Sequence, residues 1–261
     1  LGYRGEVVFR FLLTRRWLGL LLAVVLLAFA CVELGRWQFW RYGQRHDSNE
    51  SIRKNLAAAP VPVSRVMSTT EPVPDSAEWT KVVATGTYDP AHEEIVLYRT
   101  REGSPGVDVV VPLVTASGTA LLVDRGWMGT VANGNVRPDV PAPPAGTVTV
   151  NGWVRINASG GSVTPSNGYV RAISSDAIKA TLPYPVYDGF LDRTAESPPA
   201  ARPLAAALPP DLSSGPSFFY GLQWWFFAVL AFGFYVYFAW TEYTSTSSPE
   251  GRTPARVTAR E

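Results

Sequence analysis

Side chains that commonly carry out chemistry are few in this sequence. Among its 261 residues, the only histidines are His46 and His92, and the only cysteine is Cys31. Hydrolytic catalysis needs a nucleophile, a base and an orienting group within hydrogen-bond distance. His46 lies in a polar segment and His92 in the turn DPAHEE, where solvent exposure is a sufficient interpretation of one imidazole. Because no glycine-rich phosphate loop, HExxH or CxxC motif occurs either, we predict that the protein is not an enzyme.

Metal binding receives equally little support from the sequence. Glu93 and Glu94 follow His92, but adjacent side chains of a strand point to opposite faces, so these three residues make a weak site. Cys31 lies within an apolar run, and a single cysteine lacks the paired thiols that a copper carrier needs. We therefore predict no metal site. The net charge of +1, without a basic face, gives no reason to expect nucleic-acid binding.

Two polar and aromatic clusters remain as candidate binding sites. LGRWQFWR, residues 34–41, ends an apolar run with two tryptophans, a glutamine and two arginines. Tryptophan at a membrane interface and arginine that reaches toward water explain these residue types without a further function. The second cluster is Asp124-Arg125-Gly126-Trp127, where the glycine favours a bulge and Arg125 is suited to pair with an acid or lie over an aromatic ring. This second cluster either closes a sheet or binds a partner.

Two long apolar segments and the chain between them must position these clusters. Residues 17–40 and 218–240 are predicted to be transmembrane helices, because each is long enough to cross a hydrocarbon core of about 30 Å and carries tryptophan at both ends. Arginines close to the spans place residues 1–16 and the flexible tail 241–261 on the cytoplasmic side, so residues 41–217 form an extracytoplasmic domain with linkers. Arginine far exceeds lysine, as in high-GC bacterial genomes, and we therefore expect a bacterial plasma membrane.

The central domain has the sequence pattern of a β-sheet. Short runs rich in valine, threonine, tyrosine and tryptophan are separated by turn signals such as Asn133-Gly134. We predict strands at residues 79–89, 93–100, 107–115, 119–127, 147–156 and 169–174, a helix at 174–182, and a stiff proline-rich return at 196–217. The predicted fold is a membrane protein in which two transmembrane α-helices flank an extracytoplasmic α+β domain, built on an antiparallel sheet or a partial barrel. The sequence leaves closure of the barrel open.

Six segments, in order along the chain, resemble the Surfeit-locus family (Surf-one, or Shy-one in yeast) of cytochrome c oxidase assembly factors. They are LGRWQFWR (34–41), GTY (86–88), RTREGSPGVDVVVPL (99–113), LLVDRGW (121–127), VTVNGWVR (148–155) and YGLQWW (220–225). The resemblance covers nearly the whole chain and includes the layout of two spans around one outer domain. It implies a factor that helps to mature the haem-bearing core subunit of an aa3-type oxidase. No cofactor is firmly predicted, and haem a is expected only as a transient ligand.

The resemblance also implies a set of contact residues. Those predicted to bind oxidase subunits are Trp37, Gln38, Arg41, Arg125, Trp127, Tyr220, Gln223 and Trp224, and those predicted to touch haem a are Trp37, Gln38, Tyr220 and Trp224. Many family members place a histidine, the usual candidate haem ligand, three residues before the tyrosine that opens the second span. Ser217 occupies that position here. Because serine is a poor axial ligand for haem, the sequence does not favour ligation at this position.

Functions of two classes therefore stay open. The first is a transient assembly factor that holds the core subunit of the oxidase, or its haem a, during maturation. The second is a stably bound accessory subunit of the oxidase or of a respiratory supercomplex, with no cofactor of its own, which Ser217 and the aromatic second span favour. A sheet domain that binds a small ligand is a third interpretation, for which the sequence shows no convergent polar set.

Overall fold

The structure is a computed structural model that describes residues 10–130, 137–160 and 163–247. The start of the predicted N-terminal segment, the Asn133-Gly134 turn and most of the predicted C-terminal tail lie outside the described residues. The chain divides into two compact units, which are described separately. The first contains residues 1–47 and 213–261, and the second contains residues 48–212.

Three helices and eight strands form the regular structure of the described residues. The helices are α1 (Arg15–Ala57), α2 (Ser175–Ile178) and α3 (Ser217–Ser247). The strands are β1 (Val61–Pro62), β2 (Lys81–Tyr88), β3 (Glu94–Arg101), β4 (Ser104–Thr115), β5 (Ala120–Gly129), β6 (Thr147–Arg155), β7 (Tyr169–Val170) and β8 (Phe190–Ser197). Short 3-10 turns connect several of them.

Helices α1 and α3 pack antiparallel in the first unit. Trp17, near the start of α1, contacts Tyr235 of α3 with ring centroids 5.6 Å apart. Phe39, farther along α1, contacts Phe218 at the start of α3 with ring centroids 5.9 Å apart. Both helices are long and apolar enough to cross a membrane, and most of their large apolar side chains are exposed. Helix α1 continues without a break to Ala57, so the polar segment after the apolar run is helical.

Small residues allow this close approach of the two helices. Buried small side chains and glycines line the contact: Ala28, Cys31, Gly35, Gly221 and Ala228. A Cβ atom on Gly35 would collide with the ring of Trp225, and one on Gly221 would lie 2.8 Å from the ring of Phe39. Small side chains bring helix backbones close and let the large aromatic rings pack beside them. The contact therefore depends on the absence of side chains at two positions.

A closed ring of five strands is the centre of the second unit. Hydrogen bonds join β2 to β6, β6 to β8, β8 to β5 and β5 to β4, and residues 113–115 of β4 pair with residues 86–88 of β2 to close the ring. The β5–β8 pair is parallel, and the other pairs of the ring are antiparallel. Strands β3 and β7 extend the sheet beyond β4, while β1 pairs with β2. The sheet therefore closes into a barrel, which decides between the two alternatives that the sequence left open.

The barrel wall has a buried layer on each side. Strands β2 and β6 alternate buried and more exposed residues, because their outer faces meet solvent. Strands β4 and β5 are buried on both faces, since α2 and the segments around it cover them from outside. Inside the barrel pack Val82, Val109, Val111, Leu121, Val123, Val150 and Leu191, and outside β4 and β5 pack Val110, Leu122, Ile173, Ile178 and Phe190.

Several elements differ from their sequence predictions. Strand β8 begins in a segment for which no strand was predicted, and it pairs with both β5 and β6. The predicted strand 169–174 contains only the two residues of β7, and the predicted helix 174–182 is α-helical only over α2. The predicted return begins inside β8, and its residue Ala205 is paired with Trp127 of β5.

A bulge interrupts β5 at Gly126, as the sequence predicted. In the β4–β5 pair, Asp108 is opposite Trp127 and Val110 is opposite Asp124. One residue of β4 therefore lies between these pairs, against two residues of β5. Gly126 has a φ of +123°, which is costly for residues other than glycine. A Cβ atom at this position would collide with the carbonyl oxygen of Ala205. Glycine is therefore required both by the backbone angle and by the neighbouring strand segment.

We expect Gly126→Ala to lower the free energy of unfolding by about 3 kcal/mol, because strain at a positive φ and loss of the Trp127–Ala205 hydrogen bonds add together. Gly118→Ala is the matched control, since Gly118 also has a positive φ but open space around it, and should cost about 1 kcal/mol. Thermal unfolding of the full chain in detergent, followed by circular dichroism, measures both. Equal losses would show that contact with Ala205 is unimportant.

Candidate functional site

The two predicted helix motifs lie side by side in the first unit. Gly35 and Phe39, within residues 34–41, contact Gly221 and Trp225, within residues 220–225. These four residues hold the helices together, and the predicted set contains none of them. Most of the predicted contact residues lie elsewhere on the same helix turns. The structure therefore separates residues that join the helices from residues that are available to another molecule.

On α1, the predicted residues Trp37 and Arg41 form an exposed pair. The Trp37 side chain is 47% exposed, and the Arg41 guanidinium carbon lies 5.7 Å from the centre of its ring. This distance is within the range of a cation–π contact. Gln38, beside them, is partly exposed. An exposed ring with a neighbouring cation is suited to a lipid headgroup region or to a partner's polar surface.

On α3, the predicted residues differ from one another in position. Tyr220 is 48% exposed, and Gln223 is also exposed. Trp224 is partly buried and packs against Ala28, Cys31 and Ala228 in the contact between the helices. Ser217 is the first residue of α3, at the end of the helix pair where Phe218 meets Phe39.

In the second unit, Trp127 and Arg125 lie on different sides of the barrel wall. The Trp127 ring is partly buried, and its Nε1 donates to the carbonyl oxygen of Arg99 at 3.4 Å. Arg125 is only 1% exposed and points into the end of the barrel. Its Nη1 and Nη2 donate to the carbonyl oxygens of Pro141 and Ala142 at 2.8 and 3.2 Å. Arg125 therefore binds backbone of its own domain rather than lying at a surface.

Arg125 belongs to a buried charged group inside the barrel. Its guanidinium lies 5.6 Å from the centre of the Tyr88 ring, which confirms the predicted contact with an aromatic face. The Tyr88 hydroxyl donates to Glu196 at 3.0 Å, and Arg193 of β8 lies 3.9 Å from the same carboxylate. Burial, followed by the charge of Glu196, raises the pKa of Tyr88, and burial lowers the pKa of Arg125. Glu196 thus lies close to Arg193 and the Tyr88 hydroxyl in a closed interior, and its charge also acts on Arg125.

Both buried arginines attach neighbouring chain segments to this end of the barrel. Arg193 donates from Nε to the carbonyl oxygen of Arg125 at 2.7 Å and from Nη2 to that of Leu204 at 2.9 Å. Buried guanidinium groups need many acceptors, and backbone carbonyl groups provide them here. The segments around Pro141 and Leu204 are therefore held in place by charged hydrogen bonds from inside the barrel.

A separate charged cleft of about 300 Å³ lies on the outside of the barrel wall. Its charged lining residues are Arg99, Arg101, Asp108, Asp124, Arg155 and Asp192. Asp108, Asp124 and Asp192 come from the adjacent strands β4, β5 and β8, and Asp124 is directly paired with Asp192 in the sheet. The alternation of side chains along β5 explains why Asp124 lies outside while Arg125 lies inside. No local sequence pattern indicates this cleft, because its aspartates come from three separate strands.

Two of the three aspartates form ion pairs. Arg99 Nε lies 2.9 Å from Asp108, and Arg155 Nη1 donates to Asp192 at 2.6 Å. The Asp124 carboxylate instead accepts from the backbone N–H of Gly126 at 2.8 Å. Within the described residues, no guanidinium or ammonium nitrogen lies within 4 Å of the Asp124 carboxylate, although the charge of Arg99 acts on it.

The cleft aspartates hold protons more strongly than ordinary aspartates. Burial raises the pKa of Asp108 to about 6, although the charge of Arg99 opposes the shift. Burial also raises the pKa of Asp124 well above its usual value, and the charges of Asp108 and Asp192 add to this effect. The pKa of Asp192 is raised by burial, against the influence of Arg155. Three neighbouring carboxyl groups with raised pKa values identify the cleft as a candidate site.

The two histidines have local partners. His92 Nδ1 lies 2.7 Å from Asp89, and His46 stacks on Tyr42 with ring centroids 6.1 Å apart. Glu93, Glu94 and His92 are not arranged as ligands of one metal ion. Across residues 10–130, 137–160 and 163–247, no group of three or more His, Cys, Asp or Glu side chains is placed to hold a metal ion.

Comparisons with known proteins agree with the resemblance noted in the sequence. The profile of the SURF1 family matches residues 25–229. An uncharacterized SURF1-like protein of Mycobacterium bovis and one of Mycobacterium tuberculosis are each 30% identical to this chain over 240 residues. Each alignment covers 89% of this chain and 86% of the relative. The family match therefore begins within α1, includes the whole barrel domain and ends within α3.

We expect Arg125→Met to lower the free energy of unfolding by about 3 kcal/mol, because the carbonyl oxygens of Pro141 and Ala142 would lose their donors in a buried site. Arg202→Met is the matched control, since Arg202 pairs with Asp139 at the exposed surface, and should change it by less than about 1 kcal/mol. Denaturant unfolding of the full chain in detergent, followed by tryptophan fluorescence, measures both variants. Similar small losses in both would contradict a structural role for Arg125.

The raised pKa of Asp108 also predicts a pH dependence of stability. Between the ordinary value of 3.8 and about 6, the folded protein holds this proton and the unfolded chain releases it. The stabilisation is therefore complete below pH 3.8 and is lost as the pH rises through about 6. Asp108→Asn should reduce this decline in the free energy of unfolding, whereas Asp139→Asn, at the exposed surface, should leave it unchanged. An unaltered decline in Asp108→Asn would refute the assignment.

Proposed function

The chain belongs to the SURF1 family, and from this membership we propose that it is an assembly and maturation factor for haem-a-containing cytochrome c oxidase. It would act in the membrane on the core haem-bearing subunit of an aa3-type oxidase. The observation that carries this proposal is the family match, which extends from within α1 across the barrel into α3. Exposed aromatic and polar residues at the adjoining ends of the two helices support it by offering a surface for a membrane partner.

The proposal includes a placement in the membrane. Residues 17–40 and 218–240 would span a bacterial plasma membrane, with both termini cytoplasmic and residues 41–217 outside the cytoplasm. Length and apolar composition of the two helices support the spans, and the arginines beside them support the orientation. Residues 1–16 and 241–261 would then meet the cytoplasm.

Within this placement, the exposed helix residues are the proposed docking surface. Trp37, Arg41, Tyr220 and Gln223 face away from the contact between α1 and α3, so a partner helix can reach them without disturbing that contact. Aromatic and arginine side chains carry much of the binding free energy in protein interfaces. Gln38 and Trp224 are only partly exposed and would form the margin of such a contact. Trp127, on the barrel, is also partly exposed and is proposed as a separate contact residue. The buried Arg125 would contribute by holding the domain in shape.

For haem a, the residue at the family's usual ligand position does not fit axial ligation. Ser217 begins α3, and a serine hydroxyl is a poor ligand where haem proteins use histidine, methionine, cysteine or tyrosine. Contacts with Trp37, Gln38, Tyr220 and Trp224 along the edge of the ring remain our proposal for a transient encounter. The same lack of a ligand at Ser217 motivates the second candidate function.

The second candidate is a stably bound accessory subunit of the oxidase or of a respiratory supercomplex, without a cofactor of its own. Exposed apolar side chains along α3 are compatible with it, because a long-lived helix partner could pack on them in place of lipid: Phe219, Phe226, Val229, Phe234, Val236 and Phe238. If the protein is a transient assembly factor, its deletion lowers the haem a content of the oxidase. If it is an accessory subunit, it co-purifies with the oxidase in near-equal amount, and its deletion leaves the haem a content unchanged.

Deletion of the gene should lower the haem a content of the oxidase, measured by reduced-minus-oxidised spectra of membranes. In the complemented strain, the double variant Trp37→Leu with Tyr220→Leu should weaken co-purification with the oxidase core subunit about tenfold or more, because both exposed rings lie in the proposed surface. The matched control is Trp240→Leu with Tyr237→Leu, exposed rings in the opposite half of α3, which should co-purify normally. Normal haem a in the deletion strain would exclude the assembly role, and equal losses in both double variants would exclude this docking surface.

A further inference from the structure

We infer that the charged cleft on the outside of the barrel binds a primary ammonium group on a short alkyl chain, with Asp124 as its counterion. This inference concerns the second unit alone and is independent of any role in oxidase assembly. The cleft, of about 300 Å³, has the size expected of a site for a small molecule. The cleft brings together charged side chains from separate strands, as a ligand-binding site on a sheet requires. Their separation along the sequence hides this grouping.

The cleft is built from rigid structure. Asp108, Asp124 and Asp192 lie on three strands that are hydrogen-bonded in the order β4, β5, β8. The bulge at Gly126 bends β5 so that its backbone N–H meets the Asp124 carboxylate. Carboxylates fixed on strands keep their positions when a ligand arrives, because strand backbone moves little.

The charges of the lining are paired unequally. Its three arginines and three aspartates balance in number when all are ionised. Arg99 forms an ion pair with Asp108, Arg155 pairs with Asp192, and Arg101 donates to the carbonyl oxygen of Ala206 at 3.0 Å. Asp124 is the aspartate of the lining that has no guanidinium or ammonium nitrogen within 4 Å among the described residues. An ammonium group beside Asp124 would supply that missing ion pair.

Asp124 is buried with few hydrogen-bond partners. The residue is 8% exposed, and its carboxylate accepts one hydrogen bond in the described structure, from the N–H of Gly126. An ionised carboxylate accepts up to about four hydrogen bonds, and a buried one is costly unless it is paired. Without a ligand, a bound proton reduces this cost, consistent with the raised pKa of Asp124. With a ligand, an ammonium group can replace that proton.

The walls of the cleft decide which cation fits. The described carboxylates are not arranged to hold a metal ion, and a bare anion would meet three acids at the Asp124 side of the cleft. A primary ammonium donates three hydrogen bonds from one small centre, which suits acids on neighbouring strands. Ile173, Phe190 and Leu208 also line the cleft and provide apolar contact for a short alkyl chain.

Binding has a defined proton balance. At a pH below the raised pKa of Asp124, the alkylammonium enters as a cation and the carboxylic acid of Asp124 releases one proton to the buffer. The other charged groups that face it are Asp108 on β4, Asp192 on β8, and Arg99, Arg101 and Arg155, and they stay in their ion pairs and hydrogen bonds. The measured heat of binding should therefore change with the ionisation enthalpy of the buffer.

The test is isothermal titration of the full chain in detergent micelles with n-butylammonium chloride. Butyltrimethylammonium, which has no N–H donor, and butanoate, which has the opposite charge, are the control ligands, and both should bind about tenfold more weakly or not at all. The amide of Nα-acetyl-lysine presents the same ammonium on a peptide. If it binds as well as n-butylammonium, the natural source is a lysine side chain, and if only n-butylammonium binds, it is a free amine.

Two variants test the role of Asp124 directly. Asp124→Asn keeps an oxygen that accepts from Gly126 but removes the charge, and it should weaken n-butylammonium binding about tenfold or more and abolish proton release. Asp139→Asn removes an exposed carboxylate that pairs with Arg202 and should bind like the original chain. Absence of n-butylammonium binding, preference for butanoate, or equal binding by both variants would overturn the inference. If Asp124→Asn does not fold, equal binding of n-butylammonium and butyltrimethylammonium to the unaltered chain would overturn it.

Discussion

The wall of the barrel at β5 separates two charged groups, and much of the second unit depends on that separation. Asp124 and Arg125 are neighbours in sequence, but the pleat of the strand sends one side chain outward and the other inward. Inside, Arg125 and Arg193 hold the segments around Pro141 and Leu204 by hydrogen bonds to their carbonyl oxygens. Outside, the aspartates form the cleft. Burial on both faces of β5 keeps the two groups from exchanging partners.

In the first unit, the two helices pack closely because glycines lie at their contact. Gly35 and Gly221 leave space that the rings of Trp225 and Phe39 fill, so the helices touch through an aromatic contact on a small-residue surface. The exposed Trp37 and Tyr220 lie beside this contact without taking part in it. The same short motifs therefore serve two purposes, since some of their residues join the helices and others remain available to a partner or to lipid.

The sequence predicted the elements whose patterns are local, and it failed where pairing over distance decides. Strands β2 to β6 follow from alternation and turn signals, whereas no strand was predicted at β8. Its Arg193 and Glu196 have buried charged side chains, and Glu196 has its partner Tyr88 on a distant strand, which no local pattern shows. Closure between β2 and β4 joins strands that are not consecutive, so no local pattern reveals it. The cleft was missed for the same reason, because its aspartates come from separate strands. Membrane placement and docking residues remain predictions.

The contact between α1 and α3 has a consequence for the order in which the molecule is made. A ribosome releases the chain from its N-terminal end, so α1 and its Gly35 surface exist before any strand of the barrel has been synthesised. The matching ring of Trp225 appears only after the last strand, and loop closure over such a distance contributes late in folding. During synthesis α1 is therefore an apolar helix without its partner, and its small-residue surface stays uncovered until the chain has been made as far as Trp225.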